Sequence, residues 1–368
     1  MAQPKTVLIT GVGGYWGMRL AARLASVADL HVIGLDTTPP SKGIKGLDFV
    51  QTDVRNPLLA DFLREERVDA VCHLAFIESD HRSESTFDLN VMGAMKVFGA
   101  CTSAGVNKII CRSSTAIYGA HPNNPAFLSE ERAPAPKSDT GTVRDLVEIE
   151  AFCNGFRSQQ PNVSLTVLRF PGIIGPAVDS PLTRFLRSKL TFTLMGFDPL
   201  MQIIHEDDVV EALWHGLCRD VSGVFNVAAE GVLPLSKLMA LGGKPIAAPV
   251  FHLVAYWGNP LLGGVGMPIK RFWPIELDYL RYPWVGDLHR MREYLDFMPA
   301  YSAAAALREF TARRRLKKYT SDGFKSAQEE ELLRDTIERR RRARVGTTPV
   351  SSQGGPMSDD EQGEEDYI

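Results

Sequence analysis

The stretch that decides the fold of this chain is Thr6-Val7-Leu8-Ile9-Thr10-Gly11-Val12-Gly13-Gly14-Tyr15-Trp16-Gly17. An apolar run leads into a glycine-rich turn, and the segment 18–25 then places apolar residues at helical spacing. Glycines are needed there because the backbone must bend sharply and approach a phosphate closely. Free amide groups and the helix dipole attract the negative charge of a pyrophosphate. These residues therefore predict a strand, a phosphate-binding turn and a helix that together bind a dinucleotide.

Asp36 indicates which dinucleotide is bound. It ends a second predicted strand, His31–Leu35, at about the distance from the glycine turn that such sites require. A carboxylate there accepts hydrogen bonds from ribose hydroxyls and repels a 2′-phosphate, and the following Thr37-Thr38-Pro39-Pro40 offers no arginine to neutralise one. NAD is therefore favoured over NADP. The alternative is that Asp36 only caps a turn.

The Gly-x-x-Gly-x-x-Gly spacing and a series of later motifs carry a family resemblance. In chain order the later motifs are Asp53-Val54, His73-Leu74-Ala75-Phe76, Asn90-Val91-Met92-Gly93, Cys111 to Gly119, Leu168 to Pro176 and His205 to Val209. Over about residues 5–310 the chain resembles the extended short-chain dehydrogenases/reductases, in particular the NAD-dependent epimerase/dehydratase group. The match is specific for the family and says little about the substrate.

The resemblance implies a set of NAD-contacting residues. Asp53 and Val54 are similar to the pair that contacts adenine in the family. The full predicted cofactor set is Gly11, Gly14, Tyr15, Trp16, Gly17, Asp36, Asp53, Val54, Leu74, Ala75, Phe76 and Asn90.

The chain departs from the family at its catalytic Tyr-x-x-x-Lys pair. Aligned on the segment 142–152, Thr142 takes the tyrosine place and Leu146 the lysine place, and a register shifted by two would put Thr140 and Arg144 there. An aliphatic hydroxyl is far harder to ionise than a phenol, and leucine gives it no electrostatic help. We therefore expect the usual proton transfer to be impaired, since a positioned acid or base is worth roughly 10²–10⁴ in rate.

Three further residues are candidates for an atypical active site. Ser114 lies in the place of the family's substrate-binding Ser/Thr, where it would donate to a carbonyl or alkoxide oxygen, or would instead bond its own backbone. The resemblance places Tyr118 near the same strand end, facing the substrate pocket, where it could act as an acid. His121 could supply a base, but a solvated loop histidine is favoured. The candidate catalytic set is Ser114, Thr142 and Tyr118, and Cys111 and Cys153 are predicted to be small core residues.

The substrate side of the resemblance also departs from the family. Many nucleotide-sugar members have Asn and Tyr in the segment after the sixth strand, where this chain has Gly172 and Ile174. A polar contact is lost, and we expect an apolar pocket wall suited to a more hydrophobic ketone or alcohol.

Strands alternate with helices along the chain, which predicts an α/β fold with a doubly wound parallel sheet of the Rossmann type. A smaller carboxy-terminal substrate lobe is expected to cover the cofactor cleft. The predicted units are a main unit 1–310, with its dinucleotide core in 1–171 and 201–228 and its lobe in 172–200 and 229–310, a charged helical extension 311–346, and a disordered acidic tail 347–368.

Composition narrows the remaining possibilities. The chain has 368 residues and a net charge of −3, and its five cysteines lack zinc-like spacing, so we expect no metal and a reducing, cytoplasmic setting. The apolar segment 246–269 is interrupted by prolines and glycines, so it is predicted to be a pocket wall rather than a membrane span. The motif His205-Glu206-Asp207-Asp208 is predicted to start a helix, and its acidic residues are predicted to cap amide groups, an architectural rather than a catalytic role.

Three functional hypotheses follow. The first is an NAD-dependent oxidoreductase or epimerase acting on a hydroxyl or keto group with an atypical acid or base. The second is a non-catalytic NAD(H)-binding sensor or scaffold. The third places the function in the basic residues 313–318 and 339–342, which would contact nucleic acid or an anionic membrane, although a solvated helix and tail, partly neutralised by its own acidic end, is favoured for them. The resemblance further implies a homodimer formed by the helices that include 87–103 and 142–159.

Overall fold

The computed structural model describes residues 5–79, 83–136, 141–188, 191–244, 248–251, 277–316, 333–334 and 337. The chain divides into two compact units, Met1–Arg313 and Arg314–Ile368, and the first contains the predicted dinucleotide site. Most of the charged extension predicted for 311–346, the whole acidic tail predicted for 347–368 and most of the pocket wall predicted for 246–269 lie outside the described residues.

A seven-stranded sheet forms the centre of the main unit, and every strand pair within it is parallel. Its strands are β1 Thr6–Thr10, β2 His31–Asp36, β3 Leu47–Gln51, β4 Ala70–His73, β5 Lys108–Ser114, β6 Ser164–Phe170 and β11 Gly223–Asn226. Their spatial order is β11-β6-β5-β4-β1-β2-β3. The chain therefore reverses direction across the sheet between β1 and β4, which is the switch point where such folds bind ligands.

Helices cover both faces of the sheet. They are α1 Tyr15–Leu24, α2 Leu59–Glu65, α3 Glu84–Phe87, α4 Gly93–Ala104, α5 Gly141–Gln159, α6 Pro181–Arg187, α7 Glu206–Cys218, α8 Leu235–Leu241 and α9 His289–Glu293, followed by helical residues 303–316. Helices α1 and α7 pack on one face and α2, α4 and α5 on the other. Alternate residues of each strand supply the two cores, as Ile9 and Ile110 do on the α1 side and Leu8 and Ile109 on the α5 side. This arrangement confirms the predicted doubly wound α/β fold.

Six short strands in the described part of the same unit lie outside the main sheet and pair in two-stranded sheets. They are β7 Gly172–Ile174, β8 Phe192–Leu194, β9 Leu200–Met201, β10 Ile203–His205, β12 Leu233–Pro234 and β13 Ala248–Val250. The strand predicted near 201–204 is interrupted, and its second part pairs with β7 rather than joining the seven-stranded sheet. A third apolar cluster that includes Phe185, Leu238 and Phe310 forms the core here. Among the described residues, no helix is long and apolar enough to cross a membrane.

Candidate dinucleotide site

The glycine turn between β1 and α1 is packed so tightly that side chains are excluded. Gly11 has φ +74°, and a Cβ there would lie 2.5 Å from the Ala75 nitrogen and 2.6 Å from the Leu74 carbonyl. A Cβ on Gly17 would lie 2.2 Å from the Gly11 oxygen, and one on Gly14 would lie 3.3 Å from the same atom. The turn thus packs against the segment after β4 at the switch point. Glycine is required here by contact as well as by conformation.

The start of α1 has the features that a pyrophosphate requires. Gly14 is the N-cap, and no side chain caps it, so the amide groups of the first turn have no side-chain acceptor at the N-cap. The free amides and the helix dipole fit an anionic group at this position. The turn and the chemistry of its donors therefore fit a dinucleotide.

Asp36, which is predicted to bind the ribose, also holds the glycine turn. Its Oδ2 accepts a hydrogen bond from the Gly13 amide at 3.0 Å, and its Oδ1 accepts one from the Thr38 amide at 3.0 Å. A carboxylate has about four lone-pair sites, so Oδ2 can still accept a further donor. The turn-capping alternative and the ribose-binding prediction are therefore compatible at this residue.

The two residues predicted to contact adenine, Asp53 and Val54, lie in different environments. Asp53 is half-buried, and its carboxylate is bound by Arg55 through Nε at 2.9 Å and Nη2 at 2.6 Å. This hydrogen bonding lowers the pKa of Asp53. Val54 is 4% exposed and contributes to the core on the α5 side, close to Gly93. Arg55, which also pairs with Asp88, was not singled out from the sequence.

The segment after β4 is held by a buried hydroxyl–imidazole pair. Thr10 Oγ1 accepts the amides of Leu74 and Ala75 at 3.2 and 3.3 Å, and it lies 2.8 Å from His73 Nδ1. Since the hydroxyl accepts from both amides, it donates its proton to Nδ1, which requires a neutral ring protonated on Nε2. Burial lowers the pKa of His73 from 6.5 to about 4. A neutral histidine therefore fixes the wall of the cleft that faces Gly11.

Because His73 is buried as a neutral ring beside Thr10, we expect the free energy of unfolding to decrease in acid. The pKa of His73 is about 4 in the folded chain against 6.5 ordinarily, so the unfolded state binds more protons between these values. The contribution of His73 to the free energy of unfolding is therefore complete above pH 6.5 and is lost as pH drops towards 4. The total loss is about 3 kcal/mol, at 1.36 kcal/mol per pKa unit. His73→Asn keeps an acceptor near Nδ1 and cannot titrate. Chemical unfolding from pH 7 to 4 should show a smaller loss in this variant, and an equal loss would contradict the assignment.

Asn90 is fully buried and acts within the protein. Its Oδ1 accepts the Ile77 amide at 2.8 Å, and its Nδ2 donates to the Ile77 carbonyl at 3.0 Å and to Asp145 Oδ2 at 2.8 Å. Both amide hydrogens of Asn90 are thus used to join the segment after β4 to α5. Asn90, which was predicted to contact the cofactor, is placed here as a positioning residue for that segment.

Thr142, which takes the place of the catalytic tyrosine, adds further hydrogen bonds between α5 and the segment after β4. Its Oγ1 donates to the Ser79 carbonyl at 3.0 Å and accepts the Ser79 amide at 2.7 Å, and its own amide donates to the same carbonyl at 3.1 Å. The hydroxyl proton is therefore committed to a backbone oxygen. Thr140 of the shifted register lies outside the described residues.

Leu146, in the place of the catalytic lysine, is 6% exposed. It forms a small apolar cluster with Ile117 and Val143, against which the predicted cofactor residue Phe76 packs. Burial in apolar surroundings disfavours any charge at this position. The nearby half-buried Ser114 accepts the Ala116 amide through Oγ at 3.2 Å and so caps the short 3₁₀ turn Thr115–Tyr118.

Tyr118 does not face a pocket, which corrects the prediction that it could act as an acid on a substrate. It is 0% exposed, its hydroxyl donates to Asn226 Oδ1 at 2.8 Å, and it accepts from Arg169 Nη1 at 2.6 Å. Burial raises the pKa of Tyr118. Its partner Arg169 is paired in turn with Glu150 of α5, with Nη2 at 2.5 Å from Oε2. His121, the other substitute, donates from Nε2 to the Ala135 carbonyl at 2.5 Å.

The polar residues at the start of α7 hold neighbouring segments together. Tyr15 donates to Glu206 Oε2 at 2.6 Å, and the same carboxylate accepts the amides of Ala177 and Val178. The cap of α7 itself is the His205 ring, which accepts the Asp207 amide at 3.2 Å. The prediction that the acidic residues of this motif cap amide groups is confirmed, although the amides belong to other loops. Glu206 accepts those of Ala177 and Val178, and Asp208 accepts those of Ala300 and Tyr301.

Gly172 and Ile174 are packed rather than exposed to a substrate. A Cβ on Gly172 would lie 2.9 Å from Leu182 Cδ2, and Ile174 is 0% exposed in the third cluster. The loss of a polar contact with the substrate stays a prediction from the sequence. The expectation that these two residues form a pocket wall is wrong for Ile174, because core packing takes up its whole side chain.

Together, the parallel sheet, the glycine turn at its switch point and the carboxylate after β2 define a dinucleotide-binding protein of the Rossmann class. The chain belongs to the NAD dependent epimerase/dehydratase family, whose model matches residues 7–228. The family is NAD-dependent, which confirms NAD as the cofactor predicted from Asp36.

Individual relatives agree with this assignment. An uncharacterized protein of Mycobacterium tuberculosis strain H37Rv is 32% identical over 319 residues, which cover 83% of each chain. Short-chain dehydrogenase/reductase family 42E member 1 of Xenopus laevis is 26% identical and covers 75% of this chain and 72% of its own. The solved structure of MoeE5 in complex with UDP-glucose and NAD has a TM-score of 0.63 at 22% identity, covering 85% of this chain and 99% of that one, and it supports the fold.

Proposed function

We propose that this chain binds NAD(H) and that dinucleotide binding, as a sensor or scaffold, rather than rapid turnover is its function. The single observation that carries the proposal is the state of Thr142, whose hydroxyl both donates to and accepts from the backbone of Ser79. A hydroxyl engaged in this way cannot exchange its proton with a substrate without releasing the segment after β4.

The missing cation supports the same conclusion. A proton relay through residue 142 would need a positive charge one helical turn away to lower the pKa of the hydroxyl. The residue there is Leu146, which is buried with Ile117 and Val143. The absence of a positioned acid or base costs roughly 10²–10⁴ in rate. By contrast, the glycine turn and Asp36 keep the geometry that NAD binding needs.

A second candidate is slow oxidoreductase or epimerase chemistry on a hydroxyl or keto group. Ser114 favours it, because its hydroxyl is half-buried and accepts one amide at 3.2 Å, which leaves its proton available to a substrate oxygen. Gly172 stands in the place of the asparagine that contacts the sugar diphosphate in nucleotide-sugar members, which argues against the UDP-sugars named for the solved neighbours.

The test is calorimetric titration of the nucleotide-free protein with NAD⁺ and NADH, together with turnover assays on UDP-glucose and a panel of apolar ketones and alcohols. We expect both nucleotides to bind, with turnover at least about 100-fold below that of an active family member. Thr142→Val should leave NAD affinity within about threefold and lower the free energy of unfolding by about 1–2 kcal/mol, because it removes two hydrogen bonds.

Two controls separate the alternatives. Ser114→Ala should abolish any measurable turnover while NAD still binds, and this outcome would favour the second candidate. Robust wild-type turnover that Thr142→Val abolishes would contradict the proposed function, because it would show that the hydroxyl is catalytic. A marked difference in affinity between NAD⁺ and NADH would favour a redox sensor over a scaffold.

A further inference from the structure

Arg112 is the β5 residue directly before the Ser113-Ser114 pair. It belongs to neither the predicted cofactor set nor the candidate catalytic set. Ile110 of the same strand faces α1 and α7, and alternate residues of a strand share a face, so Arg112 projects on the α1 side. Its guanidinium carbon lies 5.7 Å from the centre of the Trp16 ring, in the first turn of α1. Its Nη2 lies 3.1 Å from Glu78 Oε1, in the segment after β4.

These two contacts lie on opposite sides of the switch point. Trp16 belongs to the turn whose free amides form the anion site, and Glu78 belongs to the segment that packs against that turn through Leu74 and Ala75. Arg112 therefore reaches from the carboxyl end of β5 to both walls of the cleft that receives the cofactor. The Arg112 side chain is 16% exposed, so this charge is largely removed from water.

The Arg112–Glu78 pair is easily exchanged for another anion. Only one nitrogen–oxygen contact joins the two side chains, and the Glu78 side chain is 48% exposed. Because the Glu78 carboxylate is itself half-exposed, it can return to water when another anion takes its place beside Arg112. A phosphate can accept two parallel hydrogen bonds from one guanidinium, whereas Arg112 makes a single contact with Glu78.

We propose that Arg112 is a phosphate-binding residue of the cleft, held by Glu78 in the free protein and transferred to the pyrophosphate of NAD on binding. The inference rests on the dinucleotide binding of the proposed function and adds a cationic side chain to a site otherwise built from backbone amides. Glu78 then acts as a competitor that lowers the affinity for the cofactor.

The test is calorimetric titration with NAD⁺ of the wild type and four variants, with adenosine as the ligand that lacks phosphate. Arg112→Gln should raise the Kd for NAD⁺ at least about tenfold, and Arg112→Lys should restore part of the affinity. Glu78→Gln should lower the Kd about twofold to fivefold, because the competing pair is gone. In Arg112→Gln/Glu78→Gln this gain should disappear. Adenosine affinity should stay unchanged throughout.

The matched control is Arg64→Gln, which removes an arginine that pairs with Asp61 at 2.8 Å on α2. It should leave NAD⁺ affinity unchanged, and thermal melting should show every variant folded. Unchanged or tighter NAD⁺ binding by Arg112→Gln would overturn the inference, since Arg112 would then only close the cleft. No binding of NAD⁺ by the wild type would overturn the proposed function as well, so the two failures are distinguishable.

Discussion

Gly17→Ala is expected to lose NAD⁺ binding and to lower the free energy of unfolding by about 2–3 kcal/mol, a typical cost of forcing extra atoms into a packed site. The added Cβ would lie 2.2 Å from the Gly11 oxygen and 2.8 Å from the Val12 Cα, both backbone atoms that cannot rotate away. The turn must therefore shift, and its amides no longer converge on the anion. Loss of even one charge-assisted hydrogen bond, worth about 1.5–3 kcal/mol, weakens binding at least about tenfold.

Gly99→Ala is the matched control for this experiment. Gly99 lies within α4, and a Cβ there would meet nothing within 4 Å. The substitution should stabilise the chain by about 0.5–1 kcal/mol, as alanine does in helix interiors, and leave NAD⁺ affinity unchanged. Calorimetry and chemical unfolding measure both quantities. Wild-type affinity in Gly17→Ala would show that the pyrophosphate does not use this turn.

Arg169→Ala is expected to have the largest effect on stability, a loss of about 3–5 kcal/mol. The Arg169 and Glu150 side chains are each 2% exposed, and Ser113 also donates to Glu150, at 2.5 Å. Removing the guanidinium leaves a buried carboxylate without its cation and deprives the Tyr118 hydroxyl of a donor. Urea unfolding with the slope held common to all variants measures the loss.

The double variant Arg169→Met/Glu150→Met tests the cause of this loss. Replacing both charges with apolar side chains removes the uncompensated carboxylate, so the double variant should be more stable than Arg169→Ala. Arg64→Ala removes an arginine from an exposed pair and should change stability by no more than about 1 kcal/mol. If the double variant loses as much free energy of unfolding as the two single substitutions together, packing, and not the buried charge, dominates at this position.

The buried network around Arg169 also explains why Tyr118 could not be placed from its sequence position. Proximity to the end of β5 correctly suggested a residue near the active-site strand. The direction of the ring depends on Asn226, which is 108 residues away. Similarly, the Tyr15–Glu206 bond joins residues 191 apart, and nothing local at either residue indicates the other.

Arg112 was visible in the sequence as a cation directly before the Ser113-Ser114 pair. Its spacing alone could not show that it reaches Trp16 and Glu78, because those residues come from two other strand–helix connections. The same limit applies to Thr142. The sequence shows that the catalytic tyrosine is missing, but only the structure shows that the threonine hydroxyl is bound to Ser79.

The sequence by itself determined the parallel sheet, the glycine turn, the NAD preference and the loss of the Tyr-x-x-x-Lys pair. Each of these depends on local properties: strand and helix periodicity, the close approach that only glycine allows at Gly11 and Gly17, and the identity of single residues such as Asp36 and Leu146. The tertiary structure decided which polar groups are already engaged. That outcome depends on contacts between segments distant in the chain, which determine whether a hydroxyl, carboxylate or guanidinium is committed to the protein or available to a ligand.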